Sequence, residues 1–269
     1  MAKTSQGGYC NRCFPEAPVS EAPGPVASPS TVGFTLGKAI WVWAFFTLAI
    51  VILPSLGIIF WASLGHLKLS GSPEAILNDP KVILVGVSSA FVVHGLTLLL
   101  AWNVVTQFRR RSFAQAVGWQ WHPRFRWPHA TVTVVIFLGT VFGLSQILPG
   151  GETEFDKILE TSASVRIVVA MLAVVTAPLV EELVYRGMLY PAVAAKYGQG
   201  VAVVSVALLF AVVHFQQYGG SKLILVSITL LSFLLTGVRA LTGRLLPSYA
   251  IHLLYNATIA GMILFTHRW

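Results

Sequence analysis

Seven apolar stretches divide the chain beyond residue 33, each bounded by polar or turn-forming residues: Ala39–Ala62, Val82–Val105, Thr131–Leu148, a fourth beginning at Arg166, then Gly200–Phe215, Leu223–Ala240 and Ser248–Phe265. Each reaches, or nearly reaches, the roughly 20 residues that a helix needs to cross a bilayer. Only helices and closed barrels satisfy their backbone groups within lipid. The pattern therefore predicts an all-α, polytopic transmembrane bundle of about seven to eight spans. Residues 1–33 are rich in Pro, Ser, Ala and Gly and read as a disordered tail. They hold no apolar core of a cleaved signal peptide. No internal repeat or second domain is evident, so 34–269 reads as one membrane domain.

Composition agrees: 55 % of residues are hydrophobic and 10 % charged, too apolar for a soluble domain. The net charge of +8 flanks the apolar stretches, the pattern of a topology signal. Loop Thr106–Ala130 carries Arg109, Arg110, Arg111, Arg124 and Arg126 among Trp119, Trp121 and Trp127. That mixture reads as a cytoplasmic interface riding on anionic membrane lipid, not as a nucleic-acid surface. With this loop inside and each stretch crossing once, the amino terminus is cytoplasmic and the carboxy terminus outside. Twelve Lys and Arg then fall inside, Arg186 and Arg239 among them, against six outside. The acidic loop Gly150–Ser164 lies outside, and Cys10 and Cys13 are free thiols in a reducing compartment. A Cys pair at that spacing resembles half a zinc site, but four ligands are needed. Lone His94 in the second stretch reads as a packing residue.

The chemistry is concentrated in the fourth stretch. Its segment Thr176-Ala-Pro-Leu-Val-Glu-Glu-Leu-Val-Tyr-Arg-Gly187 sets two adjacent carboxylates at membrane depth, where ionisable groups are expensive and mark function. Glu182 and Arg186 are i, i+4 neighbours and can pair. Glu181 is rotated away and stays free for general acid–base work. Pro178 lacks an N–H, which predicts a kink just ahead of the carboxylates. Two later stretches add Phe210-Ala-Val-Val-His214 and His252-Leu-Leu-Tyr-Asn256, each an i, i+4 pair. A carboxylate to activate water, an imidazole to orient it and a His/Asn pair to donate to an oxyanion are the parts of a hydrolytic site.

These three motifs, in this order and on apolar segments, resemble the CPBP family of intramembrane proteases, also called Abi or type II CAAX prenyl endopeptidase-like. The likeness covers the last ~100 residues, and Tyr185 stands where many relatives carry Phe. It implies an endopeptidase with its catalytic core in about 166–265. Glu181 is the implied general base on a water, and His214 helps to hold that water. His252 and Asn256 are the implied oxyanion donors, with Glu182, Arg186 and Phe210 in support. A metal-free glutamate mechanism is the expected one; were zinc the cofactor, Glu181, His214 and His252 would be its ligands. The implied partners are membrane lipid and a protein or peptide substrate, lipidated or not, and the implied location is a bacterial plasma membrane. Two other classes remain open: a non-enzymatic scaffold of the same fold, whose polar groups only join helices, and a proton-coupled transporter using the same Glu and His as a relay.

One expectation is in tension with the rest. Counting at 1.5 Å per residue puts Glu181 about 22 Å from the outer face and His252 about 6 Å from the inner face. The same counting from Gly200 carries His214 toward the outer side. The two meet only if the fifth segment starts ahead of the membrane or if Phe215–Ser221 is a buried turn at depth.

Overall fold

The computed structural model describes residues 33–266; Cys10, Cys13 and all but the last residue of the expected tail lie outside the described residues. In chain order the helices are α1 (Leu36–Ser63), α2 (Pro73–Leu77), α3 (Pro80–Thr106), α4 (Phe113–Val117), α5 (Trp127–Ser145), α6 (Glu154–Thr161), α7 (Ala163–Tyr197), α8 (Gln199–Val213), α9 (Phe215–Tyr218), α10 (Lys222–Thr242) and α11 (Leu245–Thr266). No strand occurs among the described residues. Polar side chains start the long helices. Thr35, Asp79, Ser162 and Ser221 each accept a first-turn backbone N–H, at 3.3, 2.7, 3.2 and 3.3 Å, which satisfies donors that a helix start leaves open.

Six helices are long and apolar enough to cross a membrane: α1, α3, α5, α7, α10 and α11. Their outward faces carry large apolar side chains in the open, among them Leu48, Ile59, Val92, Ile136 and Val175. So much exposed apolar surface suits lipid and not water. The protein is an integral, multi-pass membrane protein. The fifth apolar stretch is shorter than a full span. Helix α8 has 15 residues, about 22 Å at 1.5 Å per residue against a hydrocarbon core of about 30 Å. It still runs from one end of the bundle to the other, because α9 and the turn after it complete the crossing.

The loops sort into two ends. At one end Gln107 donates to the Gly33 carbonyl and Leu245 N–H donates to Gly118 O at 2.8 Å. Gly118 has φ +69°, and a Cβ there would come within 3.1 Å of Gly243 O, so this crossing of loops needs glycine. At the other end Gly151 abuts Gly220, the Phe155 and Tyr218 rings lie 5.4 Å apart and Ile263 packs beside Leu159. The Arg-rich loop thus shares an end with the α10–α11 turn, and the acidic loop shares the opposite end with the close of α11. The charge bias survives with a smaller count. Arg186 and Arg239 are buried side chains, not loop charges, so among the described residues eight basic residues stand at the Arg-rich end against five at the other.

Helix α7 is the centre of the bundle and packs on α1, α3, α8 and α11. The main core collects Val42 and Phe46 from α1, Val93 from α3, Leu183 and Met188 from α7 and Phe210 from α8. Gly198, at φ +87°, turns α7 back into α8.

This two-ended arrangement has a direct check. In right-side-out vesicles of a variant lacking Cys10 and Cys13, single cysteines at Arg110 and Arg124 should share one reactivity toward a membrane-impermeant maleimide, and cysteines at Glu152 and Glu160 the opposite one. Equal labelling of all four would overturn it.

Candidate active site

Helix α7 is not α-helical throughout. It runs as α from Ala163 to Met171, as π over Leu172–Thr176, as α over Ala177–Glu181, as π over Glu182–Leu189 and as α again from Tyr190. The kink expected at Pro178 is realised as a change of hydrogen-bond register. The first π turn precedes the proline, and Ala177 N–H reaches back five residues to Leu172 O. Wide turns of this kind are rare and gather at functional sites. Glu181 and Glu182 sit at the junction between an α turn and the second π turn.

The expected Glu182–Arg186 pair is present and wholly buried, with Arg186 Nη1 3.1 Å from Glu182 Oε1. Arg186 also donates from Nε to Thr236 Oγ1 at 3.2 Å and from Nη2 to Ser232 Oγ at 2.7 Å and Ser232 O at 3.2 Å. Its guanidinium lies 4.6 Å from the Phe210 ring centre, a stacked cation. Each nitrogen of the cation is therefore in use. Such completeness is what offsets taking two charges out of water. Ser232 and Thr236 fall at i and i+4 on α10, polar positions on one face of an apolar helix that could have revealed them in the sequence.

His252 joins the two carboxylates. Its Nδ1 lies 3.1 Å from Glu182 Oε1 and its Nε2 3.6 Å from Glu181 Oε2. A carboxylate accepts, so Nδ1 carries a proton and Nε2 is turned to Glu181. Glu182 is thereby held at Oε1 by Arg186 and His252 together. Glu181 pairs with no cation other than His252 among the described residues, and its side chain is 15 % exposed against none for Glu182. Glu181 is the carboxylate that a small molecule can reach.

His214 arrives by way of Phe210. That ring lies 5.0 Å from Tyr185, 6.1 Å from His252 and 4.4 Å from His214. Counting from the Gly198 turn removes the tension over depth: Glu181 lies 17 residues before it and His214 16 after. Tyr185 faces Phe210, and one turn outward on each helix come Glu181 and His214. His214 makes no direct bond to Glu181 among the described residues. Its Nδ1 meets Phe210 O at 2.7 Å; a carbonyl only accepts, so Nδ1 is protonated and the Nε2 lone pair is free. Asn256 is also engaged, donating from Nδ2 to Ala173 O at 2.9 Å.

Helices ahead of the motifs close the site. His94 is buried, packs on the Phe46 ring and meets Thr176 Oγ1 at 2.7 Å, so it packs but also grips the first π turn. Trp43 donates from Nε1 to Tyr185 OH at 3.1 Å. Neither showed in the sequence, where each stood alone in an apolar helix. As for metal, no three His, Cys, Asp or Glu side chains converge closely enough to hold an ion among the described residues. Glu181, His214 and His252 do not form a zinc-ligand set in this arrangement.

Residues 163–258, from the first residue of α7 into α11, match the family model of the Rce1-like type II CAAX prenyl endopeptidases. This segment is an Rce1-like domain. Its assignment is consistent with the CPBP family, and Glu181, Glu182, Arg186, Phe210, His214, His252 and Asn256 all lie within it. The Rce1-like domain spans 96 of the 269 residues, so His94 and Trp43 bear on it from outside the matched segment. No curated protein and no solved structure matches the chain.

The buried pair makes a definite energetic prediction. Arg186→Met strands Glu182 in the core and should cost about 3–5 kcal/mol, read as a lowered thermal midpoint in detergent. The double variant Glu182→Gln/Arg186→Met, which strands no charge, should recover part of that loss. Losses that simply add would show that the two residues are not one coupled unit.

Proposed function

We propose that the chain is an intramembrane endopeptidase of the CAAX-protease type, in which Glu181 activates the hydrolytic water without a metal. The observation that carries this reading is the division of labour between the two carboxylates: Glu182 is buried and paired with both Arg186 and His252, whereas Glu181 is partly exposed and has His252 alone as a charged neighbour among the described residues. Glu181 takes a proton from water as the water oxygen bonds to the scissile carbonyl carbon. The tetrahedral oxyanion is met by the Nε2–H of a doubly protonated His252, whose Nδ1–H is held by Glu182. The C–N bond then breaks, and the proton held by Glu181 passes to the leaving amine. His214, with its Nε2 lone pair free, accepts a hydrogen bond from the water and orients it. The substrate is a protein or peptide reaching the site from within the membrane, prenylated or not, and the Arg-rich end of the bundle faces the cytoplasm. A scaffold of the same fold is the second reading, favoured by His214 and Asn256 both bonding backbone carbonyls.

Cleavage of a fluorogenic peptide library, half of it farnesylated, separates the two. Glu181→Gln should lower kcat by roughly a hundred- to ten-thousand-fold with the thermal midpoint held within a few degrees, and a strong chelator should leave the wild type unchanged. Wild-type rates from Glu181→Gln would sink the glutamate mechanism. Loss of wild-type activity in chelator would assign the chemistry to a metal. A wild type that cleaves no peptide offered would favour the scaffold.

A further inference from the structure

Both π turns of α7 are followed by a proline, and in both the same backbone group is left over. In the first, Ala177 N–H bonds Leu172 O, five residues back. The next carbonyl, Ala173 O, would take the N–H of residue 178, but Pro178 has none. In the second, Tyr190 N–H bonds Tyr185 O, again five residues back. The next carbonyl, Arg186 O, would take the N–H of residue 191, and that residue is Pro191. An unanswered carbonyl at membrane depth is costly, and neighbouring helices commonly answer it. Here each is answered by one side chain from another helix. Asn256 of α11 donates from Nδ2 to Ala173 O at 2.9 Å, and Arg239 of α10 donates from Nε to Arg186 O at 3.0 Å.

We infer that Arg239 and Asn256 are positioning residues: each replaces the backbone hydrogen bond that a proline denies to one π turn, and together they fix the register of Glu181, Glu182 and Arg186. The two bonds lie on either side of the carboxylates, at residues 173 and 186. Between them the chain changes register twice. If either turn relaxed to α, every later side chain would rotate by the extra residue, and Arg186 could not face Glu182, Ser232 and Thr236 at once. Arg239 is 8 % exposed and makes no salt bridge among the described residues, and the hydrogen bond that its side chain makes among them is the one to this carbonyl. Asn256 holds Ala173 O with one of the two N–H groups of its amide.

Supplying the missing N–H tests this directly. Pro191→Ala offers Arg186 O a backbone donor, and Pro178→Ala offers one to Ala173 O. Arg239→Met alone should lower the thermal midpoint in detergent and cut kcat at least tenfold with KM little changed. Arg239→Met/Pro191→Ala should regain most of both, with the new backbone amide at position 191 protected from hydrogen exchange. Asn256→Leu and Asn256→Leu/Pro178→Ala should behave alike. The kcat readout rests on the peptidase reading, whereas the midpoint and the exchange protection do not, so a wild type that cleaves nothing leaves those two to decide. Where Arg239→Met yields no folded protein, recovery of folded protein by the double variant is the expected result. Double variants no better than the single ones in midpoint would overturn the inference. Recovery of the midpoint without kcat in the Asn256 pair would overturn it for Asn256 and return that residue to the oxyanion.

Discussion

The guanidinium of Arg186 is the constraint from which the rest of the structure follows. A full cation buried among apolar helices is tolerable only if every donor finds a partner and its charge is met. Glu182 meets the charge at Nη1, Ser232 and Thr236 take donors on the other two nitrogens, and Phe210 covers a face. These partners come from α7, α8 and α10, so meeting Arg186 amounts to fixing three helices against one another. A purely apolar seam would give comparable stability with less specificity of register. The ion pair tolerates one arrangement.

That arrangement separates two chemically identical neighbours. Glu181 and Glu182 are adjacent in sequence, yet one is sealed and the other open. The difference arises from the helix beneath them, because the π turn beginning at Glu182 directs Arg186 back to it and leaves Glu181 facing His252 across 3.6 Å. His252 then touches both, and any change of charge on one carboxylate is felt by the other through a single imidazole. A hydrolytic site needs one group free to move a proton and another that does not move, and this local backbone geometry provides both.

Much of this was legible in the sequence, and the residues show why. Apolar runs report burial in lipid directly, so the span order and most span limits were readable. The i, i+4 spacing of Glu182 and Arg186 brings the two together in a wide turn as it would in an α turn. Three things were not legible. A proline in an apolar run signals a disturbed helix, but π turn and simple kink share that signal. The donors that answer the freed carbonyls lie 83 and 53 residues away, beyond any local pattern. Arg239 stands one turn before Gly243, where a basic residue normally marks the membrane edge, so its sequence position argued for the wrong environment. The depth of His214 was misjudged for a related reason: α7 is 35 residues long, about 52 Å at 1.5 Å per residue, and a span that long cannot be measured inward from the outer face alone.

The matched domain also does not enclose its own site. The Tyr185 hydroxyl is held by Trp43 of α1, and the Thr176 hydroxyl at the first π turn is held by His94 of α3. Both contacts are long-range and both come from helices that carry no motif. The sequence therefore divides the labour: α7, α8 and α11 carry side chains chosen for their chemistry, and α1 and α3 carry side chains chosen to hold the unusual backbone of α7 in place. A helix with two π turns and two prolines is weak in isolation, since each wide turn forgoes good hydrogen-bond geometry. It persists because its freed carbonyls and the hydroxyls beside them are answered from outside, by Trp43, His94, Arg239 and Asn256. The rigidity that the carboxylates need is thus a property of the whole bundle and not of the segment in which they lie.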